Sequence, residues 1–297
     1  MDAHIGLVRA LLPVTATLQV RIPADHPSVP TLGAERMGSA VVVEPGLLLT
    51  VNYVVIGGHR IEARLADGRS VTAEIAGQDY ESGLALLRIP VRDTPSAVPG
   101  DSRRLARGEE IFILGSTAET ERRVSNGVIT DLGPFDAYWE YLLESAIQTS
   151  AFNPGFGGAP LFTRLGRLVG VTSLSLGQVG RFSLAIPIHL FLEAREELVR
   201  FGRPRRPGRP WLGVFTEGTP AGLVVAGLVP GSPAAESGIH EGDLIRSINS
   251  REVVSREGLY RELWRLPVGS VVRVGILREE EGDTVEVPSV DRAEFYR

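Results

Sequence analysis

The sequence contains no cysteine and no lysine. Without cysteine there are no disulfides, no thiol nucleophile and no thiolate metal ligand. Without lysine there is no Schiff-base chemistry and no lysine-directed modification. All 31 basic residues are arginine, a bias that arginine-rich coding accounts for without any selected function. Aromatic residues make up only 6% of the chain, and residues 1–37 hold no Phe, Tyr or Trp. A long apolar run is also missing: Leu7–Leu18 is short and is broken by Arg9 and Pro13. The start, Met1-Asp2-Ala3-His4, has no basic n-region. This pattern predicts neither a signal peptide nor a membrane span. It points to a cytoplasmic location, or an extracytoplasmic one if the start has been trimmed. Positive charge is not in excess either. The formal net charge is −5, so nucleic acid is not expected as a partner.

What is present is an ordinary globular composition. The chain has 297 residues, 43% of them hydrophobic, enough for about two domains with real cores. Residues 1–200 are rich in short runs in which Val, Ile and Leu alternate with polar residues. These are Thr17–Ile22, Ser39–Val43, Leu47–Val51, Arg60–Leu65, Ser70–Ile75, Leu84–Ile89, Glu110–Leu114, Gly127–Thr130, Leu142–Gln148, Leu168–Ser173 and Phe182–Ile186. Gly, Pro and Asp mark the turns, as in Ala66-Asp67-Gly68-Arg69. The spacing predicts a mainly β domain of barrel or sandwich type. Residues Ile188–Phe201 read as a helix with an apolar stripe of Leu190, Leu192, Ala194, Leu198 and Phe201.

Residues 203–210 form an Arg/Pro linker. Three prolines forbid a helix there, and four arginines keep it solvated. After it the strand pattern restarts, with a helix at Arg256–Leu266 that Ser255 can cap. The division is therefore 1–202, linker 203–210, and 211–297. The five histidines, His4, His26, His59, His189 and His240, show no zinc-site spacing, so neither a metal nor another cofactor is expected.

Four stretches carry a resemblance. Residues 153–161 read Asn153-Pro154-Gly155-Phe156-Gly157-Gly158-Ala159-Pro160-Leu161. Residues 47–55 read Leu47-Leu48-Leu49-Thr50-Val51-Asn52-Tyr53-Val54-Val55. Asp79-Tyr80-Glu81-Ser82-Gly83-Leu84-Ala85-Leu86-Leu87 and Val124-Ser125-Asn126-Gly127-Val128-Ile129 complete the set. Together, in the order in which they follow one another along the chain, they resemble the HtrA/Deg-like serine proteases. In that family the stretch at 153–161 runs Asn-Pro-Gly-Asn-Ser-Gly-Gly-Pro-Leu around the nucleophile. The resemblance implies a trypsin-like double β-barrel over residues 1–202. It places Gly157 at the nucleophile position, Tyr53 at the histidine position and Gly83 at the aspartate position.

Acyl transfer by this mechanism needs a serine oxygen, an imidazole base and a carboxylate that orients it. A phenol with a pKa near 10 is a poor substitute for imidazole at neutral pH, and glycine has no functional side chain. Losing the nucleophile or the base in such an enzyme costs roughly 10⁶-fold in kcat. The sequence therefore reads as a non-enzyme, a pseudoprotease with no catalytic residue. What remains of the old site is the former oxyanion loop at Gly155, Phe156 and Gly157, where Phe156 and Tyr53 fill volume. The rival reading is an endopeptidase with displaced residues, Ser82 or Ser150 with His59. A third is a purely structural adaptor.

In the C-terminal part, Val229-Pro230-Gly231-Ser232-Pro233-Ala234-Ala235 and Glu241-Gly242-Asp243-Leu244-Ile245-Arg246-Ser247-Ile248-Asn249 resemble a PDZ domain of the HtrA type. The resemblance makes Pro210-Trp211-Leu212-Gly213-Val214 the carboxylate-binding loop. Peptide-binding residues would be Trp211, Leu212, Gly213, Val214, Leu259 and Leu263, and the following strand would accept a peptide by β-augmentation. The implied partners are C-terminal or extended peptide segments, in a setting of protein quality control. The family is commonly trimeric through aromatic residues near its start, which residues 1–37 lack. Oligomeric state, whether a homo-oligomer or an association with an active paralogue, stays open.

Overall fold

The computed structural model of the chain describes residues 2–176 and 182–297. It is mainly β and forms two compact units. The first comprises Met1–Ala24, Leu32–Pro134 and Glu144–Arg205; the second comprises Asp25–Thr31, Phe135–Leu143 and Arg206–Arg297.

The chain opens with helix α1 (Asp2–Leu11), which the sequence pattern did not suggest, and a 3-10 turn at Leu12–Val14. Strand β1 (Thr15–Arg21) follows, then the one-turn helix α2 (Val29–Leu32), β2 (Glu35–Glu44), β3 (Leu47–Val51) and a second one-turn helix, α3 (Asn52–Val55). Strands β4 (Arg60–Leu65), β5 (Ser70–Asp79) and β6 (Leu84–Arg88) complete a closed barrel in the order β1-β2-β3-β6-β5-β4. Closure comes from antiparallel pairing of β1 with β4, from Ala16 opposite Leu65 to Arg21 opposite Arg60. A closed barrel leaves no free sheet edge, which is how an all-β domain avoids edge-to-edge association. Leu18, Leu48, Leu49, Leu84, Leu86 and Leu87 are fully buried in this barrel.

A second closed barrel runs β10-β11-β12-β9-β8-β7. Its strands are β7 (Glu110–Ser116), β8 (Arg122–Ala137), β9 (Tyr141–Thr149), β10 (Ala159–Thr163), β11 (Leu168–Leu176) and β12 (Phe182–Pro187). Strand β8 runs seven residues past the Thr130 end that the alternation suggested. Strand β10 went unread because its Pro160 argues against a strand. Helix α4 (Ile188–Phe201) ends on a left-handed Gly202. Its buried face is Ile188, Phe191, Ala194 and Leu198, while Leu192 and Phe201 are exposed. The apolar stripe expected from sequence thus shares Ala194 and Leu198 with the buried face and misses Ile188 and Phe191.

The second unit is built on a sheet ordered β14-β15-β16-β18-β19. Before the sheet comes β13 (Pro210–Trp211). Then follow β14 (Val214–Thr219), β15 (Gly222–Leu228), α5 (Pro233–Glu236), β16 (Leu244–Ile248), β17 (Arg251–Glu252) and α6 (Arg256–Leu263). After α6 come β18 (Val271–Arg278), β19 (Glu281–Pro288), β20 (Val290–Asp291) and α7 (Arg292–Phe295). Ser255 Oγ accepts the Gly258 N–H at 3.1 Å and caps α6. In the linker, Arg205 lies over the Phe201 ring and Arg209 over the Trp264 ring, 4.9 and 4.1 Å from the centroids. Among the described residues no helix is long and apolar enough to cross a membrane, and no acidic, histidine or cysteine cluster has metal-binding geometry.

Arg36 on β2 holds the segment that carries Tyr53. It is buried, and its Nη1 donates to the carbonyls of Tyr53 (2.8 Å) and Ile56 (3.0 Å), while Nε donates to the Gly33 carbonyl at 3.1 Å. These bonds satisfy carbonyls at the end of α3, where a one-turn helix leaves acceptors open. Arg36→Met is expected to cost about 3 kcal/mol, because charged donors leave buried carbonyls behind. Urea denaturation of the purified chain checks this.

Candidate functional site

The loop at 153–158 is closed on itself. Its entry is fixed by Asn153, whose amide donates to Ser183 Oγ at 2.7 Å and whose Nδ2 donates to the Phe156 carbonyl at 3.2 Å. The Gly155 amide donates to Asn153 Oδ1, the Phe156 amide to the Ser116 carbonyl and the Gly158 amide to the Thr172 carbonyl. Three of the four amides that a nest would present are thus already engaged within the fold. The Phe156 carbonyl accepts a further bond from Ser39 Oγ at 3.0 Å. The Gly157 carbonyl accepts the Ser39 amide at 2.7 Å. Phe156 itself is half-buried.

Tyr53, on α3, reaches across to this loop. Its hydroxyl donates to the Ser173 carbonyl at 2.8 Å, and burial pushes the phenol up to about 12. A Cβ placed on Gly157 would overlap the Tyr53 hydroxyl oxygen and sit 2.8 Å from Cζ. The tyrosine therefore occupies the space of any side chain at 157, and the two residues are sterically linked. Gly83 lies in the turn before β6 with φ +79, a left-handed conformation that disfavours a side chain. Its amide donates to the Asp79 carbonyl and its carbonyl accepts the Asn52 amide. The residues named for a displaced mechanism serve local structure. Ser82 Oγ accepts the Leu84 N–H, Ser150 Oγ accepts the Val128 N–H, and His59 is exposed with its amide on the Arg21 carbonyl.

In the second unit the loop 212–214 is aimed at one point. The amides of Leu212, Gly213 and Val214 all donate to the carboxylate of Glu140, at 3.1, 2.6 and 2.9 Å. Gly213 has φ +85, and a Cβ there would lie 2.6 Å from Ser232 Oγ. Only glycine lets the loop pass this close and turn its amide inward. Glu140 is buried, and burial raises its carboxyl from an ordinary 4.5 to about 7, against the pull of the three amides and the Arg292 charge. Its amide donates to Tyr260 Oη at 3.0 Å, and that hydroxyl donates to the Ala137 carbonyl at 2.6 Å. One residue outside the loop, Thr216 on β14, donates its amide to the Tyr138 carbonyl at 2.9 Å.

Leu212, Val214, Leu259 and Leu263 are buried in this unit's apolar core. The Trp211 ring packs at a tilt against Phe295 and Tyr296, with centroids at 4.7 and 5.7 Å, near the β13–β20 pair. Sequence reasoning passed over Glu140, Tyr138 and Tyr260. The run Tyr138-Trp139-Glu140-Tyr141, three aromatics around one acid in an aromatic-poor chain, was the available signal.

Two predictions follow from these contacts. Gly157→Ser alone overpacks against Tyr53 and is expected to cost about 1–3 kcal/mol. In a Tyr53→His background, which vacates the phenol's space, that cost is expected to shrink. A denaturation double-mutant cycle measures the coupling. The second concerns pH. Because the Glu140 carboxyl titrates higher in the fold than unfolded, its contribution to stability is full below about 4.5 and is lost as pH rises through about 7. The melting-temperature difference between wild type and Glu140→Gln should change across that window.

Comparison with known proteins adds the family context. A family model described as a trypsin-like peptidase domain matches residues 38–171, and one described as a PDZ domain matches residues 210–288. A probable periplasmic serine endoprotease, DegP-like, of Pseudomonas putida is 31% identical over 274 residues, covering 86% of this chain and 56% of its own. Its namesake in Hahella chejuensis is 34% identical with the same coverage. The chain spans just over half the length of these curated relatives. Among solved structures, an HtrA-type protease AlgW with tripeptide is 28% identical with a TM-score of 0.60, covering 97% of each chain. A serine endoprotease from Yersinia pestis is 25% identical with a TM-score of 0.58 and the same coverage. These relatives correct two expectations. The chain is not set apart as a non-enzyme, since proteins aligned along most of its length are named serine endoproteases. A cytoplasmic location is overturned as well, since the same relatives are named periplasmic. The chain joins a trypsin-like peptidase domain to a PDZ domain, the arrangement of the HtrA/DegP family.

Proposed function

We propose that this chain is an extracytoplasmic HtrA-type protein that recognises peptides through its PDZ domain. The observation that carries the proposal is the convergence of the Leu212, Gly213 and Val214 amides on a single carboxylate. Three inward amides provide a site for a peptide's terminal carboxylate, and charge-assisted bonds of this kind are roughly twice as strong as neutral ones. Strand β14 lies beside the loop, and its Thr216 amide already donates to an added backbone carbonyl. An edge strand with an outward amide is what β-augmentation requires, and this supports extended segments as the ligand class.

A second reading draws on the relatives' name, serine endoprotease. On this reading, hydrolysis proceeds through groups other than Tyr53, Gly83 and Gly157, none of which supplies a nucleophile or a base. A fluorophosphonate probe together with unfolded casein tests it. Stoichiometric labelling of a serine, with cleavage that labelling abolishes, upholds it. No labelling and no cleavage rejects it.

For the peptide-binding proposal, the measurement is titration of the full chain with a short peptide bearing a free C-terminal carboxylate, and with its C-terminal amide. Saturable binding of the acid is expected, with the amide weaker by about tenfold or more. The proposal fails if neither wild type nor Glu140→Ala binds the acid.

A further inference from the structure

Within the second unit, the segment 135–143 lies on the features that would receive a peptide. Four contacts of different kinds place it there. The Glu140 carboxylate takes all three amides of the 212–214 loop. The Tyr138 carbonyl takes the Thr216 amide of β14. Tyr260, on α6, bonds to both ends of the short run, accepting from the Glu140 amide and donating to the Ala137 carbonyl. Arg256, at the start of α6, pairs with Asp136 at 2.6 Å. The segment is thus attached to both walls that flank a PDZ groove, the strand on one side and the helix on the other.

Apolar contacts match the polar ones. Leu142 is buried in the same core cluster as Leu212, Val214, Leu259 and Leu263. The Tyr138 ring meets Phe215 of β14 edge-on, with centroids 5.6 Å apart. Glu140 itself has φ 54, a left-handed conformation uncommon for a residue with a side chain. Holding a non-glycine residue there costs on the order of 1 kcal/mol, so the surrounding bonds must stabilise it.

We propose that residues 135–143 are an internal ligand of the PDZ groove, with the Glu140 carboxylate standing in for the terminal carboxylate of a peptide. This rests on the peptide-binding reading of the same site and adds what regulates it. An external peptide must displace the segment to bind. The displacing ligand has a free α-carboxylate for the three amides and an apolar side chain to replace Leu142. A tethered competitor acts at an effective concentration near millimolar, so weak peptides are excluded and strong ones admitted. A groove left open about a tenth of the time lowers apparent affinity about tenfold.

The test uses the full chain as wild type, Glu140→Ala and Glu140→Gln. The probe is a fluorescent hexapeptide, Ala-Ala-Ser-Ala-Val-Leu, with a free carboxyl terminus. Hydrogen exchange at the amides of Leu212, Gly213 and Val214 is measured without peptide, and thermal melts confirm that each variant is folded. The expected result is about tenfold tighter binding by Glu140→Ala than by wild type, together with faster exchange at the three amides. Glu140→Gln keeps the volume and should move both readouts in the same direction. Saturable binding that is equal in wild type and both variants overturns the internal ligand and leaves the peptide-binding reading standing. If no chain binds, that reading fails, and exchange alone decides the internal contact. Protection in wild type that is lost in the variants upholds it; equal exchange overturns it.

Discussion

Three neighbouring amides that point into one buried spot demand an acceptor, because a buried N–H without a partner costs about 1–3 kcal/mol. The loop Leu212–Val214 creates this demand, and the left-handed Gly213 makes it unavoidable by turning its amide inward. Glu140 meets it. Three further contacts surround that meeting: Tyr260 bridges the two ends of the docked run, the Thr216 amide donates to the Tyr138 carbonyl and Leu142 joins the core. A site built to hold a carboxylate is therefore also a site that its own chain can occupy.

The first unit shows the same logic of filled space. In the barrel, the Tyr53 hydroxyl reaches the Ser173 carbonyl and takes the volume that a side chain at 157 would need. The amides of the adjoining loop turn to carbonyls and side-chain oxygens of the barrel. Arg36 holds the segment that delivers the tyrosine. Similarity to proteins named serine endoproteases extends over this same barrel.

Much of the architecture was legible in short motifs. The Pro-Gly-Ser-Pro and Gly-Asp stretches of the second domain set turns, such as the Ser232 cap of α5, and such turn chemistry is local. Strands β1 to β7 were visible as short apolar runs between turn residues: β4 alternates buried and part-exposed positions, while β3, β6 and β7 are buried along nearly their whole length. In α4 the expected stripe finds Ala194 and Leu198 on the buried face, but Leu192 and Phe201 are apolar yet exposed, and only packing reveals which apolar side chain faces the core. The motif makes Trp211 part of the loop, whereas the contacts of its ring with Phe295 and Tyr296 depend on residues more than eighty positions away.

The sequence by itself determined the fold class, the pairing of a trypsin-like domain with a PDZ domain, and the residue types at 53, 83 and 157. These follow from local periodicity, turn residues and motif order. Only the tertiary structure decided what fills each site. Glu140 lies 72 positions from Leu212, and Tyr53 is more than a hundred positions from Gly157. Neither meeting has a local signature, because a hydrogen bond or a filled volume depends on distance in space. Sequence spacing carries no record of that distance once the chain has folded back on itself.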